Sequence, residues 1–305
     1  MAGYIAEFTL WHIYCFITDF TLFERQFKNK KTIIVFLVTV VTLYTVSAGV
    51  PLNNLQGVGG IAFNPLAYPA GQPLLDKEEL PDRISISDYV RKPQLGAWYV
   101  NLGDVDVDWT TLGTAFTVGE RLELSYGYEV VAQAGVDNIY KHNLGTKLLL
   151  IKENESDQAW VPAVAVGALW KTTDAEIGFD NSGWDFYLVA TKLITQLPLP
   201  VLISTGILYT DEVVTGVFGH SEDRDLTWFA NLDVIPVKNV AVGLEYKQGA
   251  RFNDFQNADY WDAHVAWFVN NNLTLVGAYV NAGDEESHSR VGLGNGVTVS
   301  IQYAF

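Results

Sequence analysis

A chain of 305 residues with 49% hydrophobic content can bury a sizeable core, and its net charge of −16 repels phosphates, which excludes nucleic acid as a partner. Beyond residue 48 no stretch approaches the roughly 20 apolar residues of a membrane helix, so a protein built of helical spans is excluded as well. The single cysteine, Cys15, falls in the leader and leaves the remainder without a disulfide or a thiolate metal site.

The leader is residues 1–48. Lys28, Lys30 and Lys31 precede an apolar run from Thr32, and the run ends on small residues, Val46-Ser47-Ala48. A basic, then apolar, then small-residue order predicts a secretory signal cleaved after Ala48. Residues 1–25 are aromatic and mixed and precede the basic cluster, which suggests an assigned start upstream of the true one.

Residues 49–93 are irregular. Gly57-Val58-Gly59-Gly60 and the prolines at 65, 69, 73 and 81 break regular structure. The glycine run lacks the spacing, the following helix and the lysine of a phosphate loop. This segment is expected to form a plug or a periplasmic extension.

From Gln94 the pattern is strand, turn, strand. It predicts twelve strands near 94–102, 106–117, 121–132, 142–153, 159–172, 183–195, 200–210, 225–234, 238–248, 259–269, 272–282 and 295–305. Most run to about ten residues, the length a tilted strand needs to cross a bilayer. Alternation is clear in several. Leu122, Leu124, Tyr126, Tyr128 and Val130 oppose Glu123, Ser125, Gly127 and Glu129; Val240, Val242, Leu244 and Tyr246 oppose Ala241, Gly243, Glu245 and Lys247. The last strand alternates throughout, with Val297, Val299, Ile301, Tyr303 and Phe305 on one face and Thr298, Ser300, Gln302 and Ala304 on the other.

An unpaired terminal strand is a sticky edge, and closing a barrel removes it. The prediction is an all-β, closed antiparallel transmembrane barrel of about 12 strands over 94–305, in the bacterial outer membrane. The connections support this. Those at 118–120, 154–158, 196–199, 235–237 and 270–271 are short, and those on the other side, except 103–105, are longer, as in barrels with short periplasmic turns. Trp98, Trp109, Trp160, Trp170, Trp184, Trp228, Trp261 and Trp267 sit mostly near strand ends, where interfacial girdles lie.

Several segments carry a family resemblance: Gly57-Val58-Gly59-Gly60 with Pro65-Leu66-Ala67, Val118-Gly119-Glu120-Arg121-Leu122-Glu123-Leu124-Ser125-Tyr126, Ala163-Val164-Ala165-Val166-Gly167, Asp185-Phe186-Tyr187-Leu188-Val189-Ala190-Thr191-Lys192, Val242-Gly243-Leu244-Glu245-Tyr246, and Ala263-His264-Val265-Ala266-Trp267-Phe268 followed by Leu273-Thr274-Leu275. In this order they resemble the bacterial domain-of-unknown-function 3034 family, predicted outer-membrane proteins of Gram-negative bacteria. The acidic 71–93 stretch does not match. The resemblance implies location and fold and brings no catalytic residues.

Candidate site residues follow from the face assignments. Glu123, Glu129, Asp233, Glu245, Lys247 and His264 are expected to line the lumen, four carboxylates against one ammonium in the alternating strands, and hence to favour cations. Asp104, Asp106 and Asp108 at strand spacing share a face and are expected to form an acidic ladder; Trp109 occupies the position where a calcium loop needs glycine. Acidic residues crowd the predicted outer loops, including Asp211 and Glu212, against few bases such as Lys141, Arg251 and Arg290. Tyr303 and Phe305 are the expected signal for the barrel assembly machinery. No catalytic, cofactor or metal site is assigned, since His220-Ser221 and His288-Ser289 are adjacent pairs and no triad is legible. The partners expected are outer-membrane lipid and lipopolysaccharide. The function predicted is a narrow porin-like passive channel for small solutes or ions; the alternatives are a structural or export-accessory barrel, and an outer-membrane lipid-modifying enzyme.

Overall fold

The computed structural model describes residues 62–71 and 93–305, apart from 134, 136, 177, 253–255 and 284–289. The leader and the glycine run at 57–60 lie outside the described residues. Twelve strands close into one antiparallel barrel: β1 (Gln94–Leu102), β2 (Val107–Val118), β3 (Leu122–Gln133), β4 (Ile139–Ile151), β5 (Ala163–Thr173), β6 (Ser182–Ile194), β7 (Val201–Glu212), β8 (His220–Val237), β9 (Val240–Lys247), β11 (Tyr260–Phe268), β12 (Leu273–Asn281) and β14 (Asn295–Ala304). The short β10 (Gln256–Asn257) and β13 (Arg290–Val291) pair in parallel outside the ring. Closure is made by the first and last ring strands, from Gln94 opposite Ala304 to Leu102 opposite Gly296. No strand edge is left in the ring, and every strand can satisfy its backbone through its neighbours, as a lipid environment demands.

The period-two pattern sorts the side chains. Leu124, Leu144, Leu188, Ile207, Leu244 and Val299 are exposed on the outside. Their inward neighbours on the same strands, among them Glu123, Asn143, Thr191, Glu245 and Thr298, are buried. In water so much exposed apolar area would be an aggregation hazard; facing lipid it is the solvated side. Outward aromatics pair near the mouth opposite the C-terminus. Trp228 and Tyr246 lie 4.7 Å apart, and Trp261 and Tyr279 lie 5.7 Å apart. That is the height at which amphipathic rings meet headgroups. The chain is therefore an outer-membrane β-barrel.

Four sequence expectations change. Trp98 and Trp109 do not belong to a girdle: both are buried inside the barrel, because β1 and β2 direct them inward with Val100 and Val107. The acidic ladder does not form. Gly103–Val105 is a 3-10 turn and Asp106 takes a left-handed φ of 54°, so the strand alternation that would align the three carboxylates starts only at Val107. Asp104 instead accepts a hydrogen bond from the Asn295 amide at 2.7 Å, and Asp108 is bonded by Tyr99 and Asn101. The loop lengths sort less cleanly than expected. The β4–β5 connection, at the C-terminal end, carries its own 3-10 turn at Glu155–Asp157, and β4 begins early enough to shorten the β3–β4 connection. The β7–β8 hairpin also runs on past the ring, with Glu212 opposite His220. It thereby takes Asp211, Glu212 and His220 out of the predicted loop.

Candidate functional site

The lumen is the candidate site, and its polar wall is built from cross-strand register. Glu123 on β3 lies opposite Lys147 on β4, and Glu129 lies opposite Lys141. The paired groups meet at 2.9 Å and 3.1 Å, with all four side chains at or below 1% exposure. Trp109 donates its indole N–H to Glu129 at 2.8 Å. A second chain of charges runs from β5 to β9. Lys171 on β5 meets Asp185 at 2.6 Å and Glu212 at 2.5 Å, and Glu212 also accepts from Lys247. Thr210 donates to Asp185 at 2.5 Å. At the mouth, Asp211 bonds His220 at 2.6 Å and pairs with Arg224.

A third cluster lies on β8, β9 and β11. Asp233, Gly243 and His264 form one row across the three strands. A Cβ on Gly243 would overlap both neighbours, so the glycine is what lets the flanking side chains meet. His264 Nε2 lies 2.8 Å from Asp233 Oδ1, and Nδ1 lies 2.7 Å from Asp262 Oδ1. Both ring nitrogens are thus committed to aspartates. Among the described residues, no hydroxyl or thiol nucleophile bonds either His220 or His264.

Residues 62–71 lie inside this ring. Glu245 on β9 accepts three successive backbone N–H groups, from Ala62 at 3.1 Å, Phe63 at 2.8 Å and Asn64 at 2.7 Å. The Asn64 side chain donates to Asn231 and to the Tyr246 carbonyl and accepts from the Tyr260 hydroxyl. Further on, the Ala67 N–H donates to Thr191 Oγ1 at 2.9 Å, and the Ala70 N–H to Glu123 Oε2 at 2.6 Å. Thr117 Oγ1 donates back to the Ala70 carbonyl. In ring order β9 and β3 are six places apart out of twelve. The segment therefore crosses the lumen from one wall to the opposite one. Pro65 and Pro69, which have no N–H, fall between the donating positions.

Apolar packing completes the crossing. Phe63 stacks at a tilt on Trp98, with ring centroids 5.7 Å apart, and meets Tyr260 edge-on at 6.0 Å. Leu66 is fully buried. The Tyr68 hydroxyl donates to Glu153 at 2.8 Å. Burial first, and that carboxylate second, push its pKa far above the usual phenol value. Above Phe63 remains a cavity of about 100 Å³ edged by Trp109, Lys247, Tyr260, Val280 and Leu293. Val213 and Val217, from the β7–β8 connection, are buried over the mouth.

Sequence reading placed Glu123, Glu129, Asp233, Glu245, Lys247 and His264 on the inner face. The structure buries all six: Glu123 and Glu129 in separate lysine pairs, Lys247 on Glu212, and Asp233, Glu245 and His264 together on β8, β9 and β11. It adds Lys141, Lys147, Lys171, Asp185, Glu212 and Asp262. Lys141 is corrected from an outer-loop base to a fully buried strand residue, because β4 starts at Ile139. The count of four carboxylates against one ammonium is corrected too. Glu123, Glu129, Asp185, Asp211, Glu212, Asp233, Glu245 and Asp262 make eight buried carboxylates, against Lys141, Lys147, Lys171 and Lys247, among the described residues. Tyr303 and Phe305 pack edge to face at 5.0 Å, and Phe305 is exposed on the outside of the closing strand.

No curated protein matches the chain. Among solved structures it is similar to the KdgM porin in complex with disordered oligogalacturonate (13% identity, TM-score 0.49, covering 70% of this chain and 99% of that one). It is also similar to the NanC porin (10%, 0.47, 70% and 100%) and to the COG4313 outer membrane channel from Pseudomonas putida F1 (13%, 0.40, 73% and 100%). A family model matches residues 84–295, and the chain belongs to that family, described as protein of unknown function (DUF3034).

Proposed function

We propose that the protein is a narrow passive channel of the outer membrane for small solutes or ions, closed at rest by residues 62–71. The observation that carries this is the crossing segment, anchored on Glu245 at one wall and on Glu123 at the other. Its hold combines hydrogen bonds, each worth roughly 1.5–3 kcal/mol where the acceptor is charged, with the buried Phe63 and Leu66, so spontaneous openings are rare and a ligand that competes for an anchor promotes them. A passive role is supported by His264, held by Asp233 and Asp262 through both ring nitrogens, and by His220, bonded to Asp211 through Nδ1 with no hydroxyl or thiol nucleophile on it among the described residues. With the segment displaced, eight buried carboxylates against four ammonium groups, counted among the described residues, favour cations over anions. We take outer-membrane lipid and lipopolysaccharide as the surroundings, and the barrel assembly machinery as the reader of Tyr303 and Phe305.

Planar-bilayer recording tests the reading. The full chain should show rare openings, and a variant lacking 62–71 should conduct steadily with a cation-directed reversal potential in a salt gradient. Anion preference would refute the lumen assignment. Silence of a folded deletion variant would refute the channel. That result would favour the rival reading, a closed structural or export-accessory barrel, to which the buried Val213 and Val217 at the mouth lend support.

A further inference from the structure

Charge balance separates one cluster from the rest of the lumen. On the β3–β9 side the pairs close: Lys147 with Glu123, Lys141 with Glu129, and Lys171 and Lys247 with Asp185 and Glu212. The cluster on β8, β9 and β11 does not close. Asp233, Glu245 and Asp262 present three carboxylates, and His264 is the only basic side chain within ion-pairing distance of any of them among the described residues. Asp233 and Asp262 are wholly buried, and Glu245 and His264 are 2% exposed. Two oxygens, Asp233 Oδ2 and Asp262 Oδ2, are enclosed without a hydrogen-bond partner. Buried carboxylates in excess call for a cation or a proton.

One ligand atom from each of Glu245, Asp262 and His264 lies within 4.8 Å of the other two. One imidazole nitrogen with two carboxylates is a donor set suited to a first-row divalent transition metal rather than to calcium or magnesium alone. Asp262 stands on the Nδ1 side of the ring and Asp233 on the Nε2 side. Asp233 can therefore hold the second nitrogen as an N–H donor while the first binds metal, the usual support for a ligating histidine. Binding requires a neutral ring, so one proton leaves to solvent as the ion enters.

Glu245 is also the acceptor for Ala62, Phe63 and Asn64. A metal drawing on the same lone pairs loosens those three bonds. We propose that Glu245, Asp262 and His264 bind one divalent first-row transition-metal ion, and that the ion competes with residues 62–64 for Glu245 and so releases the crossing segment. The release half rests on the plugged-channel reading above; the binding half does not.

The test uses the full-length barrel, stripped of metal and folded in detergent, in a Cys15→Ser background. Zn²⁺ titrated by calorimetry should bind at one ion per barrel. Affinity should fall at least tenfold in Asp262→Asn and in His264→Gln, each checked for folded migration on unheated gels. With Ala67→Cys added, maleimide labelling should accelerate severalfold on Zn²⁺ addition, and should not do so when Asp262→Asn is also present. Binding unchanged in both folded variants, or no saturable binding, overturns the site. Saturable binding with unchanged labelling overturns the competition and leaves the plug standing. Silence of the 62–71 deletion in a bilayer strikes at the plugged channel and leaves the metal titration unaffected.

Discussion

Replacing Lys171 by Met asks whether the lumen is sealed or filled with water. The ammonium sits 2.6 Å from Asp185 and 2.5 Å from Glu212, with its side chain and that of Asp185 at 0% exposure. At an effective dielectric constant near 20, each attraction is about 6 kcal/mol before desolvation is subtracted. Breaking a buried pair costs roughly 3–5 kcal/mol, because the surviving charge is stranded. Glu212 keeps Lys247, whereas Asp185 keeps only the hydroxyl of Thr210. The expected loss is therefore about 3–5 kcal/mol, carried mainly by Asp185. Adding Asp185→Asn should recover most of it, since removing both members of a buried pair is often nearly neutral. The assay is urea unfolding in lipid vesicles, with both single variants and the double variant completing a cycle. In a water-filled lumen the same pair is worth only about 0–1 kcal/mol. A Lys171→Met cost under about 1 kcal/mol would refute the sealed, low-dielectric interior.

Two further outcomes follow from the wall itself. Leu188 stands near the middle of β6 and faces out, so Leu188→Arg should cost roughly 2–4 kcal/mol of barrel stability in vesicles; a neutral result would move the lipid face. Deleting Phe305 should lower the folded, heat-modifiable fraction in cells while leaving refolding in detergent close to that of the parent. Unchanged yield in cells would contradict the terminal-signal reading.

The barrel was legible because its signal is local and repeated. Leu122 to Val130 and Val297 to Phe305 alternate plainly, so their faces follow from the chain alone. The inner cations were not so plain. Lys147 is followed by Leu148, Leu149, Leu150 and Ile151, an unbroken apolar run that hides the period, and Lys141 and Glu212 fall just outside the predicted strands 142–153 and 200–210. Boundaries set by register rather than by glycine or proline leave no mark in the sequence. Lys171 and Asp185 were readable in principle, since Ala163, Ala165, Leu169 and Lys171 keep one phase along β5. Residues 62–71 have no period at all. Their place depends on contacts with distant residues, 23 positions away for Gly71 with Gln94 and 183 for Ala62 with Glu245. The acidic ladder failed for the opposite reason: spacing suggested a strand where Gly103 begins a turn.

The central claim, that residues 62–71 close the lumen, is tested most directly by locking them there. The Ala67 amide lies 2.9 Å from Thr191 Oγ1, which brings the two positions into cross-linking range. In a Cys15→Ser background, Ala67→Cys with Thr191→Cys should form a disulfide in the folded barrel, seen as a gel shift reversed by reductant. Oxidised protein in a planar bilayer should be silent, and reductant should restore openings of the same conductance as in the 62–71 deletion variant. Failure of the pair to cross-link in a folded barrel, or conductance that ignores the cross-link, would contradict the account.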